Sequence, residues 1–284
     1  MPLHEIGSSH GHTRLMVFMH AGQVLNALLI DIGNTRVKWA RFDGKALGPQ
    51  RAAVHLGWGG EDFARRVIGS GRGLERILVS SVAGKRVARS LTLAARRARA
   101  PSPEFIISQR AAGGVTSGYL EPWRWGVDRF VASIGAHRLA GKRAVCVIGV
   151  GTAMTIDLVD AKGLHRGGAI IPAPTLMVDT LLKNTDGIRR RAQGGAGGGR
   201  GLFGRSTRTA LAQGSVYAAA ALIDRAADEA RALLRSRAPL ILLTGGGAPS
   251  VQPLVRSTCV SVPDLVLRGL AVLSAETNLP NVPV

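Results

Sequence analysis

The chain has 284 residues, 46% of them hydrophobic and 19% charged, which excludes a disordered chain and leaves enough apolar material for one large or two moderate cores. Its formal charge of +19 invites a nucleic-acid reading, yet Arg and Lys are spread throughout, with one tight run at Arg189, Arg190 and Arg191. Nucleic acid is therefore not the expected partner, and an acidic small molecule fits the sign as well. Cys146 and Cys259 stand far apart without metal-ligand spacing, which excludes a disulfide framework and a zinc site.

Residues 1–26 carry a short apolar patch at 15–19, far below the ~20 residues that span a bilayer, and no convincing export signal. They are expected to form a flexible extension outside the fold, with Met16 or Met19 as alternative starts, and the protein is expected to be cytoplasmic with no membrane partner. Residues 27–31 are an apolar run ending on Asp31, and residues 36–42 alternate, Val37 and Trp39 opposite Lys38 and Ala40. This reads as strand, turn, strand. An aspartate at the mouth of a buried strand, followed by Gly33-Asn34-Thr35 and then Lys38, suits a metal-bound phosphate. Asp31 can hold a hydrated Mg²⁺, Gly33 lets backbone approach an anion, and Asn34, Thr35 and Lys38 supply donors. An ordinary β-hairpin is the alternative, because Asn and Gly favour tight turns by conformation alone.

A helix around 60–69, a buried strand at 76–81, a basic helix at 85–99 and a strand at 104–108 follow, which implies a mixed sheet covered by helices. Arg86, Arg89, Arg96, Arg97 and Arg99 read as the solvated side of that basic helix, opposite Val87, Leu91 and Ala94. Asp128 leads into a helical pattern through Phe130, Val131 and Ile134. It is a candidate general base for a hydroxyl or, alternatively, the helix N-cap. Arg129 beside it can take a carboxylate in a bidentate fork, or is a surface arginine.

The strand, turn, strand pattern returns half a chain later: residues 144–148 are apolar, 149–152 turn and 154–159 form a strand. LLIDIGNTRVKWARFDG and CVIGVGTAMTIDLVDAKG share length, order and turn placement, which suggests an internal duplication of one α/β unit. Then come a short helix at 175–182, a glycine-rich loop at 193–204 that is either a linker or a segment closing over a ligand, and a long helix at 206–235, bent at Gly214. Ser206 and Thr207 compete to cap that helix, and its free N–H groups suit an oxyanion. Residues 240–243 run into Thr244-Gly245-Gly246-Gly247-Ala248, a third glycine turn where a flat ring or phosphate can meet backbone, and no GxxxxGK[ST] motif offers a rival site.

With DIGNTRVK at 31–38, YLEPWRWGVDR at 119–129, GTAMTID at 151–157, HRGGAIIP at 165–172, GRST at 204–207 and TGGGA at 244–248, the chain resembles the type III pantothenate kinases from about residue 27 to 275. The resemblance implies an α/β fold of the actin-like ATPase type, shared with acetate and sugar kinases and RNase H: two duplicated domains, 27–135 and 136–284, with mixed sheets flanked by helices. It implies ATP-dependent phosphorylation of pantothenate to 4′-phosphopantothenate, the first step of coenzyme A synthesis, in a homodimer with pantothenate close to the subunit interface. Carried over residue by residue, it gives ATP the segment Asp31, Ile32, Gly33, Asn34, Thr35, Arg36, Val37 and Lys38, together with Thr152. It gives pantothenate Tyr119, Gly126, Val127, Asp128, Arg129 and Thr207, with Asp128 as proton acceptor, and it gives Asp31 the Mg²⁺ of Mg-ATP.

Some positions depart from the family pattern. Where many relatives bind a monovalent cation through an aspartate, this chain has Gly149, which has no side-chain oxygen, so its response to K⁺ or NH₄⁺ is expected to be weaker. Pro172-Ala173 replaces Pro-Gly, and Trp125 replaces a common leucine and is expected to narrow the substrate pocket. The alternatives kept open are a kinase for another small alcohol or sugar, and a basic nucleic-acid-binding accessory factor.

Overall fold

Residues 26–193, 201–235 and 238–276 are described by the computed structural model of the chain; the expected extension, but for Asn26, and residues 194–200 of the glycine-rich loop lie outside them. The first hairpin joins β1 (Ala27–Ile32) to β2 (Arg36–Phe42) in antiparallel register, and β3 (Arg51–Val54) continues it on the outer side. A four-residue α1 (Gly60–Phe63) runs on as a π-helical turn, Ala64–Ile68. β4 (Arg76–Ser81), α2 (Lys85–Arg97) and β5 (Pro103–Phe105) then complete a five-stranded sheet of order β3-β2-β1-β4-β5, with β4 parallel to β1.

β1 is apolar along almost its whole length because both of its faces are covered. Leu28, Ile30 and Ile32 join Phe63 and Leu91 on one side, while Ala27 and Leu29 face a second core containing Phe130 and Leu265.

A two-residue ribbon, β6 (Ala111–Ala112) with β7 (Val115–Thr116), and a 3-10 turn at Pro122–Arg124 lead into α3 (Val127–Ala140). The second sheet then repeats the plan with β8 (Val145–Val150), β9 (Ala153–Val159) and β10 (His165–Pro172). After α4 (Pro174–Asn184), α5 (Asp186–Ala192) and α6 (Thr207–Leu234) it is completed by β11 (Leu240–Thr244) and β12 (Cys259–Ser261), in the order β10-β9-β8-β11-β12. Short α7 (Ala248–Val251) with a 3-10 turn links those two strands, and α8 (Leu265–Ser274) ends the described chain.

The long helix starts one residue later than expected, because Ser206 is its cap. Ser206 Oγ accepts from Thr209 N at 3.2 Å and Thr209 Oγ1 accepts from Ser206 N at 3.0 Å, a reciprocal box that leaves Thr207 as the first helical residue.

α3 and α8 pack against each other between the sheets, α8 reaching back to β1 and β4 while α3 rests on β8 and β9. Their crossing is closed by two glycines. A Cβ on Gly135 would lie 2.5 Å from the Leu265 carbonyl oxygen, and one on Gly269 would lie 1.9 Å from that of Val131. Arg76 anchors the far end of α8, donating to Glu104 at 2.8 and 2.6 Å and to the Ser274 carbonyl at 2.7 Å.

Candidate active site

Asp31 is the fifth residue of β1, half-buried and paired across the hairpin with Lys38. Burial pushes its carboxyl up to about 7; Lys38 opposes the rise and the charge of Asp128 adds to it. The turn beyond is held by backbone: Gly33 N donates to Arg36 O at 3.0 Å, and His55 bonds it twice, Nε2 meeting Gly33 O at 2.8 Å and N donating to Thr35 O at 3.1 Å. Asn34, Thr35 and Arg36 are exposed at the tip, whereas the side chains of Ile32 and Val37 are core, so those two can offer a ligand only backbone.

Asp128 sits in the first turn of α3, whose N-cap is Gly126. The capping role weighed for Asp128 is thereby corrected: it is the second helical residue, and its Oδ1 accepts from Arg129 N at 2.9 Å. Burial is the largest influence on its carboxyl and raises it, the Arg129 N–H and guanidinium pull it down, and Asp157 raises it again. The charge of Asp128, at the start of α3, is felt at Asp31 on β1 and adds to the rise of that carboxyl.

Arg129 is buried, and its fork is engaged inside the protein. Nε donates to Asp157 Oδ2 at 2.8 Å, Nη2 to Asp157 Oδ1 at 2.7 Å and Nη1 to the Tyr119 hydroxyl at 3.1 Å. The reading of Arg129 as a free bidentate clamp for a substrate carboxylate is corrected by this geometry, which leaves the Nη1 edge beside Tyr119. His165 Nε2 also meets Asp157 Oδ1, at 2.9 Å. Tyr119, Trp125 and His165 lie nearly parallel, Trp125 over His165 with ring centroids 4.0 Å apart. Trp125 is 1% exposed, so it packs beneath this layer instead of narrowing an open pocket.

On the second hairpin Thr152 is exposed in the turn, its carbonyl accepting from Ala173 N at 3.2 Å. The third glycine turn leans on the end of β8. Gly245 has φ +95 and a Cβ there would lie 2.3 Å from Val150 O, so this position demands glycine twice over, while a Cβ on Gly246 would meet nothing within 4 Å. Gly246 thus offers an open backbone ledge beside the Thr152 turn. Thr207, in the first turn of α6, makes no hydrogen bond or ion pair with these side chains among the described residues.

Asp157 and His165 were missed as site residues, although an aspartate inside the apolar strand MTIDLV announces a buried partner. Among the described residues no group of three or more His, Cys, Asp or Glu could cage a metal. A divalent ion fits here only as one carried in on phosphate oxygens and water, with a carboxylate such as Asp31 completing its shell.

The family model for type III pantothenate kinase matches residues 27–229. The type III pantothenate kinase of Nitrosococcus oceani is 32% identical over 259 residues, covering 88% of this chain and 94% of that protein. That of Stenotrophomonas maltophilia R551-3 is 38% identical over 243 residues, covering 86% and 95%. Among solved structures, a Sinorhizobium meliloti protein described as a 2-dehydro-3-deoxygalactonokinase superposes with a TM-score of 0.52 at 15% identity, over 88% of this chain and 98% of that one. The chain shares with that structure its fold, two mixed sheets flanked by helices.

Proposed function

The chain belongs to the type III pantothenate kinase family, and from that premise we propose that it moves the terminal phosphoryl group of ATP to the primary hydroxyl of pantothenate with Asp128 taking the hydroxyl proton. As a member it is a phosphotransferase that uses ATP with a divalent metal and opens coenzyme A synthesis. What supports the assignment of roles is that the charge of Asp128 reaches Asp31 and raises its carboxyl, with β1 and α3 contributing to one apolar core.

A primary hydroxyl loses its proton far above neutral pH, so it needs a carboxylate within reach as the new bond to phosphorus forms. Burial raises the Asp128 carboxyl and so makes it a stronger base than an exposed aspartate, while the Arg129 N–H and guanidinium hold that rise down. Lys38 and the exposed donors of the 33–36 turn serve the phosphates, while Thr152 and the Gly246 ledge serve the nucleotide from the second hairpin. Mg²⁺ would be held by Asp31 and the phosphates, where it neutralises charge on the transferring group. Tyr119, Gly126, Val127 and the Nη1 edge of Arg129 face the acceptor, with Thr207 as a further contact.

The expected division, 27–135 and 136–284, cuts α3 (Val127–Ala140); we propose that the two sheets define the domains, with the cut ahead of α3 and with α8 crossing back to the first. A homodimer is supported by apolar surface around α4 and β10: Ile170 is 60% exposed, Leu176 and Leu181 also face outward, and α5 buries no residue at all. No helix among the described residues is long and apolar enough to cross a membrane, and the cytoplasm is the proposed location.

The test is an assay of purified protein with Mg²⁺, ATP and pantothenate for 4′-phosphopantothenate. Asp128→Asn is expected to lose about 10²–10⁴-fold in kcat with an unchanged fold. No product from wild type under varied monovalent salts would remove the acceptor assignment, and a silent substitution would remove the base.

A further inference from the structure

We propose that Asp157 is a positioning residue for the transfer: it fixes the Arg129 guanidinium, and through it the Tyr119 hydroxyl and the first turn of α3, in the arrangement the acceptor meets. This rests on the pantothenate reading of the site. Asp157 is 1% exposed and lies on β9, 28 residues from Arg129 in sequence. Both of its oxygens are used: Oδ2 accepts from Arg129 Nε, and Oδ1 accepts from Arg129 Nη2 and meets His165 Nε2. A parallel two-bond pair sets the plane of the guanidinium as well as its position. The remaining nitrogen, Nη1, can then point only one way, and there it holds the Tyr119 hydroxyl at 3.1 Å.

The surroundings are shaped to this pair. Gly168 on β10 lies opposite Asp157, and a Cβ there would sit 2.6 Å from Asp157 Oδ1 and 2.7 Å from Arg129 Nη2. His165 is clamped face to face on Trp125 and has its Nδ1 buried without a partner, so its ring is tied to the protein's polar groups through Nε2, which donates to the Asp157 carboxylate. Asp157 therefore has three donor bonds and no freedom, and the group it restrains adjoins Asp128 in the chain.

The charge of Asp157 also reaches the base. Asp128 feels Arg129 on its own helix and Asp157 from β9, and its own charge reaches Asp31 on β1, which is paired with Lys38 on β2. Of these, Asp157 favours the protonated form of Asp128 and Arg129 disfavours it. Neutralising Asp157 both removes the first influence and unmasks the second, so the Asp128 carboxyl becomes more acidic.

Asp157→Asn keeps the shape and removes the charge. It is expected to raise KM for pantothenate by about tenfold or more while leaving KM for ATP within about twofold, because the disturbed groups face the acceptor. At saturating ATP the acidic limb of kcat/KM for pantothenate should move to lower pH. Asp157→Glu should recover part of the pantothenate affinity and the original limb. If pantothenate and ATP parameters fall together with the folded fraction and the limb stays in place, Asp157 is only a core ion pair and the proposal is overturned. Should Asp157→Asn not fold, Asp157→Glu decides the matter: it keeps the charge but moves the carboxylate by one methylene against Arg129, and a KM for pantothenate equal to that of wild type would equally overturn the proposal. Wild type run in parallel separates the two readings, since a failure of the acceptor assignment leaves wild type itself without product.

Discussion

Asp31 and Gly149 hold the same place in two hairpins, each the fifth residue of a six-residue central strand and each facing the third residue of a seven-residue partner, Lys38 in one case and Thr155 in the other. The two central strands even share a burial pattern, half-open only at that position. Two residues further along the partner strand the assignment reverses, with Ala40 in the first hairpin and Asp157 in the second. Duplication thus preserved the backbone and divided the charge. The first hairpin carries its carboxylate at the rim, where phosphate binding is proposed; the second carries it inside, toward an arginine.

Moving or removing these charges tests the division, and the largest effect belongs to the rim. Asp31→Asn should lower kcat by about 10²–10³-fold, as expected for a group that steadies developing charge on the phosphates, read in the pantothenate assay at saturating ATP. A loss equally large from an alteration at Thr155 would show that the hairpins do not differ in role.

Next in size is a change to the helices that end each half. Gly269→Ala drives a methyl group into the Val131 carbonyl and should cost about 1–3 kcal/mol of stability, measured by denaturant unfolding. A neutral result would mean that α3 and α8 part easily.

A smaller effect is set by pH. The Asp31 carboxyl stands near 7 in the folded protein against 3.8 in its absence, so between those values the folded state holds the extra proton. Stability of the metal-free protein should therefore be greatest at the acid end of this window, as far as this group is concerned, and fall as pH rises toward 7. Asp31→Asn should flatten that slope and raise the melting temperature at pH 8, although it disables the enzyme. A slope unchanged by the substitution would show that Lys38 fully offsets burial.

The smallest effect is expected at Gly149. Replacing Na⁺ by K⁺ should change the wild-type rate less than about twofold, because hard cations need oxygen ligands and this position supplies no side chain. A steep K⁺ requirement would mean that backbone oxygens or Thr155 replaced the missing carboxylate.

The parts of this molecule that sequence reveals are those governed by local rules. β1, β2, β4, β8 and β9 announce themselves by apolar runs beside glycine turns, and α2 by a one-sided stripe. α8 escaped notice because it is buried nearly all round between the sheets, which erases the polar face a helix normally shows. β10 escaped because Gly167, Gly168 and a slip of register interrupt its alternation, and β3 because most of it faces solvent at a sheet edge. In the site, Asp31, Lys38 and Asp128 were legible from their turns and neighbours. The use of Arg129 was not, since its partner lies on another element and only folding brings Asp157 and His165 to it.

Where α3 crosses α8, main chain rests against main chain with no side chain as a cushion. The arrangement resembles the joint of a pair of tongs: one arm carries the rim carboxylate, the other the glycine ledge, and both are gripped at the rear. Thickening that joint by a single methyl group is expected to press the arms apart, so two positions that touch neither tip help to keep the rim carboxylate and the glycine ledge in register.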